Sequence, residues 1–423
     1  MKRALKWLLA AMLALVAAAA LVWALNVRGE ADITEVQASP ANSALIARGA
    51  YLARAGNCMA CHTTRGGEAY AGGRAIETPF GAVYTSNLTP DEQSGIGSWS
   101  PAHFWRAMHN GRSKDGRLLY PAFPYTSYTQ VTREDSDALF AYLRSLPAVF
   151  NPNRAHALQF PFNSQAALAV WRALYFKPGV YQPEAERNAE WNRGAYLVQG
   201  LGHCSACHAA RNALGATTAG AGLAGGLIPV QNWYAPSLAS PHEAGVADWD
   251  MQEIVGLLKN GVSKNASVAG PMAGVVLGST QYLTPDDLGA MAQYLKQLPP
   301  STMAQSKLTN AVGSAAGAKL YETHCAGCHG LQGDGVPNAY PALAGNRAVT
   351  MPQTANLVQI VLHGGYAPAT QGNPRPFGMP PFVLVLSDSE IAALLTHLRQ
   401  SWGNQASGIS ALDVNRIRAN QGK

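Results

Sequence analysis

Residues 55–64 read AGNCMACHTT, and this stretch decides the fold because two cysteines and a histidine fall within five positions, from Cys58 to His62. A Cys-x-x-Cys spacing alone is compatible with a redox disulfide, half of a zinc site or the covalent attachment of a haem. The adjoining histidine favours haem, since its imidazole can bind the iron while the two thiols bond the porphyrin edge. The rest of the chain can test this interpretation.

All six cysteines of the chain fall in this pattern, which recurs as CSACH at 204–208 and CAGCH at 325–329. No cysteine is left over for a structural disulfide or a separate nucleophile. Three pairs and three histidines divide badly into the tetrahedral sets of zinc sites, and no βαβ pattern of a thioredoxin-like domain surrounds them. We therefore predict three covalent c-type haems, with these cysteine pairs and proximal iron ligands: Cys58 and Cys61 with His62, Cys204 and Cys207 with His208, Cys325 and Cys328 with His329.

Length and composition agree with several small haem-filled domains. A chain of 423 residues suggests about three domains. Only 13% of residues are charged, while 42 are Gly and 26 are Pro, so much of the chain should be loop wrapped around a bound group. A domain of about 100 residues has little core of its own, which a flat apolar haem supplies. The formal charge of +6 is not clustered, so we predict no nucleic-acid partner.

The amino terminus predicts a membrane location. Lys2, Arg3 and Lys6 precede an apolar run from Trp7 to Leu25, which is close to the length that a bilayer requires. Trp23 and Leu25 interrupt any small-residue cleavage site, so an uncleaved transmembrane anchor is favoured over a cleaved signal. The positive residues would stay cytoplasmic. We therefore place the chain in the bacterial inner membrane, with the haem domains facing the periplasm.

Internal repeats organise the remaining chain. RGAYLARAGNCMACH at 48–62 matches RGAYLVQGLGHCSACH at 193–208, which has one extra residue before its cysteine pair. GAKLYETHCAGCH at 317–329 is a shorter relative. Each stretch predicts a helix that enters the haem motif.

Each repeat also predicts a middle helix and a terminal helix. The terminal helices, at 131–147, 283–299 and 386–402, begin with a Ser or Thr before acidic residues and an apolar run, the pattern of a helix N-cap. The order of helix, haem motif, loops and terminal helix is that of class I cytochrome c. We predict an all-α fold of three tandem class I cytochrome c domains after an N-terminal membrane-anchor helix.

The predicted boundaries follow from these repeats. They are an anchor or signal segment at 1–30, a first domain at 40–150, a connection at 151–190, a second domain at 191–300, a linker at 301–312, a third domain at 313–402 and a C-terminal tail at 403–423.

Two methionines are predicted as sixth iron ligands. Met379 lies in RPFGMPPFVLVLS and Met272 in AGPMAGVV, both Gly/Pro-rich stretches that we expect to be loops shortly before a terminal helix. His/Met is the common ligand pair of cytochromes c. We therefore expect Met272 to bind the second iron and Met379 the third.

The first repeat breaks this pattern. Phe123 precedes Pro124 where Met379 precedes Pro380, and phenylalanine cannot bind iron. The residues of this repeat that could replace it are Met59, Met108, His103, His109 and His156.

None of these replacements is convincing. Met108 shares the apolar register of Leu258 and Leu362 on the other middle helices, so a core position is favoured, although it stays a candidate ligand. We expect His103 and His109 at the surface or beside haem propionates. His203 and His324, which each precede a cysteine pair, are likewise expected at the surface. The first haem is open to a five-coordinate state.

Several stretches together resemble a known family. NVRGE after the apolar segment, GIGSWS, LYPAFPYTSY, AGPMAGVV and SWGN, with three Cys-x-x-Cys-His domains, resemble the cytochrome c subunit of membrane-bound bacterial dehydrogenases for alcohols, aldehydes and gluconate-type sugar acids. The resemblance covers nearly the whole chain. It implies that a separate catalytic subunit, with a quinoprotein, flavin or molybdenum centre, oxidises the substrate. Electrons would then pass through this chain to ubiquinone or a terminal oxidase.

Two other functions stay open at this point. The chain could be a stand-alone multihaem cytochrome whose first haem binds a small ligand or performs redox catalysis, or it could feed an oxidase without a dehydrogenase partner. No serine, histidine and acid set marks a nucleophilic site, and we predict no catalytic residue. The resemblance favours an electron-transfer subunit that is not an enzyme by itself.

Overall fold

The computed structural model describes residues 2–30, 33, 42–218, 222–264, 266–301, 315–337 and 339–419. The predicted linker at 301–312 therefore lies, except for Ser301, outside the described residues. The chain divides into two compact units. One comprises Met1–Gln182, Gln199–His203 and Ala213–Ala216, and the other Pro183–Val198, Cys204–Asn212 and Thr217–Lys423.

The first unit begins with a long apolar helix, α1 (Lys2–Val27). It is solvent-exposed over nearly its whole length, and Asn26 alone among its described residues is buried. By length and composition α1 could cross a membrane, and a signal sequence would satisfy the same criteria.

The first repeat follows, with short strands between its helices. Its elements are α2 (Ser43–Ala55), α3 (Cys58–Cys61), β1 (Ala75–Thr78), β2 (Gly81–Tyr84), α4 (Pro101–Asn110), α5 (Tyr125–Tyr128) and α6 (Arg133–Arg144), followed by β3 (Ala157–Leu158) and α7 (Gln165–Tyr175).

The second unit contains the other two repeats, except for Gln199–His203 and Ala213–Ala216 of the second repeat, which belong to the first unit. The second repeat has α8 (Ala189–Tyr196), a π-helical turn (Leu197–Leu201), α9 (Ser205–His208), β4 (Gly226–Leu227), β5 (Tyr234–Ala235), α10 (Met251–Asn260), α11 (Pro271–Gly278), a 3-10 turn (Thr280–Tyr282) and α12 (Pro285–Lys296). The third has α13 (Ala315–His324), α14 (Ala326–His329), α15 (Arg347–Thr350), α16 (Ala355–His363), β6 (Gly365–Tyr366), β7 (Gly378–Met379), α17 (Asp388–Gln400) and α18 (Ala411–Ala419).

Helices are the main regular structure of the described residues, but the prediction of an all-α fold is too strict. β1, β2 and β3 form an antiparallel sheet, and the pairs β4–β5 and β6–β7 form two smaller ones. These strands are two to four residues long and lie in the loops between helices. Pairing them satisfies backbone groups that the loops would otherwise leave without partners.

Each repeat is closed by a crossing of its entry helix and its terminal helix. A glycine lies at the crossing, where an added Cβ would lie too close to a backbone carbonyl oxygen of the partner helix. The distance from the added Cβ to the carbonyl oxygen would be 1.9 Å from Gly49 to Ala138, 1.9 Å from Gly194 to Ala290 and 2.3 Å from Gly317 to Ala393. The RGAYL and AGAKL stretches thus have glycine because the two helix backbones touch there.

The terminal helices begin where the capping pattern predicts. Thr132, Thr284 and Ser387 each accept a hydrogen bond from the backbone N–H three residues later. Ser387 also forms a capping box with Glu390, whose carboxylate accepts from the Ser387 backbone N–H. These caps satisfy amide groups that no helical carbonyl can reach.

The extra residue of the second repeat is accommodated as a π-helical turn. Leu197–Leu201 takes the wider π geometry at the end of α8, where the first repeat continues as an α-helix. Leu197, Val198 and Leu201 are nevertheless fully buried. A π turn absorbs one inserted residue without changing the direction of the helix, so the buried face is kept.

Two segments predicted as a connection and a tail pack onto the repeats. In the predicted connection at 151–190, β3 pairs with β2 and α7 packs against α1. In the predicted tail at 403–423, α18 packs on α16 and α17, with Ile409 and Val414 in the third buried core. The third domain's core therefore extends beyond residue 402.

Within the second unit, polar contacts join the second and third repeats. Asn356 on α16 bonds the backbone of Tyr234 on β5 twice, at 2.8 and 2.7 Å. Arg347 pairs with Asp248 at 2.6 Å and also donates to the Gly245 carbonyl. Because the side-chain amide of Asn356 bonds both the N–H and the carbonyl of Tyr234, it fixes the alignment of α16 with β5.

Candidate functional site

Each Cys-x-x-Cys-His motif forms one closed helical turn at the end of an entry helix. The histidine backbone N–H donates to the carbonyl of the first cysteine, at 3.0 Å for His62, 2.8 Å for His208 and 3.0 Å for His329. Residues three apart on a helix share a face, so both thiols of a motif can reach the same bound group. None of the six cysteines is in a disulfide.

The three motif histidines are oriented in the same way. In each, Nδ1 lies within hydrogen-bond distance of a backbone carbonyl oxygen: His62 with Ser86 at 2.7 Å, His208 with Pro236 at 2.7 Å and His329 with Pro341 at 2.9 Å. A carbonyl can only accept, so Nδ1 carries the proton and Nε2 keeps the lone pair that binds a metal. Burial lowers the pKa of all three imidazoles, which favours the neutral form that an iron ligand requires.

The cysteines do not have the properties of a redox thiol pair. Burial, reinforced by the second thiol of each motif, raises the pKa of Cys58 and Cys204 to about 12 and that of Cys325 to about 11. Thiol–disulfide catalysts instead need a lowered pKa, because the thiolate is the nucleophile.

The donor set fits a covalently bound haem. Two thiols on one helical turn match two bonds to a porphyrin edge, and the adjoining imidazole presents Nε2 to the iron. Among the described residues, no group of three or more His, Cys, Asp and Glu side chains is arranged to hold a metal ion. When bound, a haem iron exchanges single electrons between its ferrous and ferric states.

Two arginines that the sequence reasoning missed support the motifs. Arg74 donates to the carbonyl of Ala60, and Arg211 donates to the carbonyl of Ala206, at 2.5 Å in the second case. Both acceptors precede the second cysteine of their motif. In both repeats an arginine follows the motif, 12 residues after His62 and three residues after His208. This spacing differs too much between the repeats for the arginines to be recognised from the sequence.

Met379 lies on β7, held against the end of the middle helix. β7 pairs with β6, and Met379 packs partly buried on the third core. Gly364 has a φ of +65°, and an added Cβ there would lie 2.1 Å from the Met379 carbonyl oxygen. The backbone N–H of Phe382 then donates to the carbonyl of Val361 at 3.1 Å. Glycine at 364 is what allows the Met379 segment to approach α16.

Met272 lies in a helix, so the loop predicted for it is wrong. It is the second residue of α11 and is half-buried. Pro271 begins this helix because its fixed φ suits a first helical position. Gly270 precedes it with a φ of +54°, and an added Cβ would lie 2.7 Å from the Trp233 ring.

Phe123 lies in an aromatic cluster beside the first motif. Its ring is half-buried, with the centroid 5.4 Å from that of Tyr128. Tyr128 is buried, and its hydroxyl donates to the carbonyl of Gly56, two residues before Cys58, at 3.2 Å. Burial and the nearby thiols raise the pKa of Tyr128 well above its usual value. Phe123 is therefore linked through Tyr128 to the backbone that leads into the first motif.

Met108 is 5% exposed on α4, as the core interpretation expects, beside the buried Phe104 and Ala107. His103 lies at the other end of α4, where its ring and Ser100 form a capping box. His156 accepts from the backbone N–H of Tyr84 at 3.1 Å. These contacts give each of the three a structural role in the first repeat.

The surface position predicted for His109 is wrong, while its alternative place beside a haem propionate stays a prediction, and His203, expected at the surface, is only partly exposed. His109 is buried, stacks on Trp105 at 4.5 Å and donates from Nδ1 to the Thr129 carbonyl at 2.8 Å. His203 is half-buried, with Nδ1 bonded to the Leu201 carbonyl at 2.7 Å. Each imidazole can be buried because a carbonyl satisfies its N–H. His324 is exposed, as predicted.

A turn that presents two thiols and an oriented imidazole defines a protein that carries covalent haem c. The family model described as Cytochrome c matches residues 46–147, 192–299 and 314–402. The chain belongs to this family.

Curated relatives are similar to this chain over most of its length. The cytochrome c subunit of a quinone alcohol dehydrogenase from Gluconacetobacter polyoxogenes is 39% identical over 90% of this chain and 86% of its own. The gluconate 2-dehydrogenase cytochrome c subunit of Pantoea cypripedii is 37% identical over 90% and 91%. A nicotinate dehydrogenase subunit of Pseudomonas putida is 40% identical over 96% of this chain but 34% of its own. The resemblance found in the sequence is confirmed.

Proposed function

We propose that this chain is the electron-transfer subunit of a dehydrogenase complex and is not an enzyme by itself. The observation that carries this is the similarity, over about nine-tenths of the chain, to proteins named as cytochrome c subunits of dehydrogenases. Because these relatives are named as subunits of dehydrogenases, they do not favour a stand-alone cytochrome. Electrons enter from a separate catalytic subunit and leave to a membrane acceptor.

The complement of cofactors is three haems c, one for each motif. His62, His208 and His329 bind the irons through Nε2, in keeping with the carbonyl contacts of their Nδ1 atoms. Met272 and Met379 complete the second and third sites. The first iron has His62 alone, because Phe123 occupies the position of the methionine and Met108 is part of the core.

The catalytic subunit sets the substrate. The similar proteins belong by name to alcohol, gluconate and nicotinate dehydrogenases, so related cytochrome chains occur with different substrates. The partner of this chain is accordingly a quinoprotein, flavin or molybdenum dehydrogenase subunit.

The acceptor is ubiquinone in preference to a terminal oxidase. In the second unit, a shallow and open apolar cleft of about 460 Å³ lies between α11, which carries Met272, and β6 with the segment that follows it. Leu277, Tyr366, Pro368 and Pro376 line it. Quinone rings are flat and mostly apolar, so an apolar surface at this place supports a quinone as the acceptor.

The membrane contact is α1, inserted in the bacterial inner membrane with the haem domains in the periplasm. The length and exposed apolar surface of α1, with Lys2, Arg3 and Lys6 at its start, support this orientation.

The test of the donor side is the reduction of the haems by substrate. The chain is purified from its native membranes with and without the co-purifying catalytic subunit, and the absorbance of reduced haem is followed after addition of alcohol, gluconate or nicotinate. We expect reduction only with the catalytic subunit present. Substrate turnover by the chain alone would overturn the proposal.

A separate variant tests whether ubiquinone binds in the apolar cleft. Leu277→Glu places a charge in the apolar cleft, so we expect a higher KM for a short-chain ubiquinone while haem reduction by substrate stays unchanged. The matched control is Leu331→Glu, at an equally apolar residue exposed on the third repeat. Equal quinone kinetics in both variants would exclude the cleft.

A further inference from the structure

The helix α7 has its polar and apolar faces reversed for a surface helix. Its sequence is QAALAVWRALY, and Arg172 is its only charged residue. Arg172 points inward and is 2% exposed, together with the buried Leu168. A surface helix of a soluble domain normally turns its apolar stripe inward and its charges to water.

The outward face of α7 is apolar, and an exposed aromatic residue, Phe160, precedes the helix in sequence. The exposed side chains are Phe160 at 84%, Val170 at 48%, Leu174 at 64% and Tyr175 at 38%. Trp171 is half-buried, lies 5.5 Å from the Tyr175 ring and donates from its indole N–H to the Leu214 carbonyl. Lys177 follows at the exposed end of the helix. Trp, Tyr and Lys beside an apolar patch are typical of the membrane–water interface.

The position of α7 relative to α1 decides what covers this face. Asn26 directly follows the apolar run of α1, and its side-chain amide donates to the Ala169 carbonyl at 2.9 Å. Arg28 donates to the carbonyl of Phe176, which follows α7, at 2.6 Å. The middle and end of α7 thus contact the residues at which α1 would leave a bilayer.

Arg172 explains why the polar face of α7 turns inward. Its Nε donates to the Asn26 side-chain oxygen at 2.9 Å, and its guanidinium lies 5.1 Å from the Tyr125 ring centre and 4.8 Å from that of Phe176. Burial lowers the pKa of this guanidinium. A buried cation needs such partners. The network fixes α7 to the end of α1 and leaves the apolar side facing out.

We propose that α7 is a second membrane contact, lying in the headgroup region of the bilayer with Val170, Leu174 and Tyr175 in the lipid. This inference depends on the proposed insertion of α1. The contact fixes the tilt of the first unit on its anchor, since one transmembrane helix alone would leave the unit free to rotate. The apolar area and the interfacial aromatic residues favour a lipid surface over a protein partner.

The test measures how accessible α7 is to a water-soluble reagent in the full-length protein with its haems attached. Leu174→Cys and Val170→Cys each add one free thiol, and Glu134→Cys is the control on the exposed part of α6 in the same unit. The proteins are reconstituted into vesicles of phosphatidylcholine and phosphatidylglycerol, and flotation shows whether they are inserted. A membrane-impermeant maleimide then reports the rate of thiol modification.

We expect the thiols at 170 and 174 to react about tenfold more slowly than the thiol at 134, because lipid excludes the reagent and suppresses thiolate formation. Equal rates in floated protein would overturn the contact of α7 while leaving the anchor intact. Slow reaction that appears only after the catalytic subunit is added would overturn it in favour of a protein partner. Protein that does not float would refute both the anchor and the contact.

Discussion

The loops before the terminal helices of the first and third repeats have the same place in the fold and different contents. In the third repeat Met379 lies on a strand that Gly364 allows to touch α16. In the first repeat Phe123 lies against Tyr128, close to the completely buried Tyr125. Aromatic packing thus holds one loop and backbone pairing the other. The comparison teaches that a repeat can keep its fold while one residue, phenylalanine in place of methionine, removes a side chain that could bind a metal.

Removal of a cysteine pair should have the largest effect. Cys58→Ala with Cys61→Ala, or Cys325→Ala with Cys328→Ala, should each lower the pyridine haemochrome count by about one third, since we propose that each motif attaches one haem. Loss of the first pair should also remove the high-spin signal of the oxidised protein, and loss of the third should leave it. The same spectral change in both variants would contradict the difference between the two loops.

Phe123→Met should change the ligands of the first iron. We expect the high-spin signal of the oxidised protein, about one haem in three by ligand count, to become low-spin because a thioether is now available. Electron paramagnetic resonance and the absorbance spectrum measure it.

Met108→Leu is the control for this change and should leave the spin states unaltered. A wild-type protein with three His/Met haems, one of them lost in Met108→Leu, would make Met108 the sixth ligand and refute our assignment.

Gly364→Ala should disturb the Met379 loop specifically. The added Cβ would meet the Met379 carbonyl at 2.1 Å, and the positive φ adds strain of about 1–3 kcal/mol. We expect weakened Met379 ligation, seen as loss of the near-infrared charge-transfer band of one oxidised His/Met haem.

Gly111→Ala is the matched change in the first repeat. Gly111 has a φ of +58°, and its Cβ would lie 2.6 Å from the Tyr125 ring. It should lower stability without altering any His/Met band. An identical spectral loss in the two variants would show that the effect is general unfolding.

The smallest effect should come from the ion pairs at the helix crossings. Arg193 bonds both carboxylate oxygens of Asp287, at 2.7 and 2.8 Å, while Arg48 bonds a single oxygen of Asp135 and is 57% exposed. Both carboxylates are buried, but the Arg48 and Arg193 side chains are 57% and 36% exposed, so solvent screens each pair and we expect it to contribute about 1 kcal/mol. Urea denaturation should show a small loss for Arg193→Gln and a smaller one for Arg48→Gln. A loss of several kcal/mol in either would mean that the pair, and not the glycine crossing, holds the helices.

The comparison also marks where sequence reasoning succeeds. The terminal helices were predictable because Thr132, Thr284 and Ser387 act within a few residues of the amides that they cap. Met272 was misplaced because the helix-starting role of Pro271 was overlooked, although it was readable from the sequence. His109 was misplaced because its carbonyl partner, Thr129, lies 20 residues away.

The sequence by itself determined the chemistry of this protein. Cys-x-x-Cys-His is a local pattern: one helical turn brings two thiols and an imidazole together, so the adjoining histidine and the threefold repetition of the motif indicate the attachment of haem. Tertiary structure alone decided which carbonyls orient the three imidazoles, which glycines let helices touch, and that Arg172 turns inward to bond Asn26. The carbonyl that orients His62 lies 24 positions along the chain, and Arg172 lies 146 positions from Asn26, so only the packed chain brings these residues together.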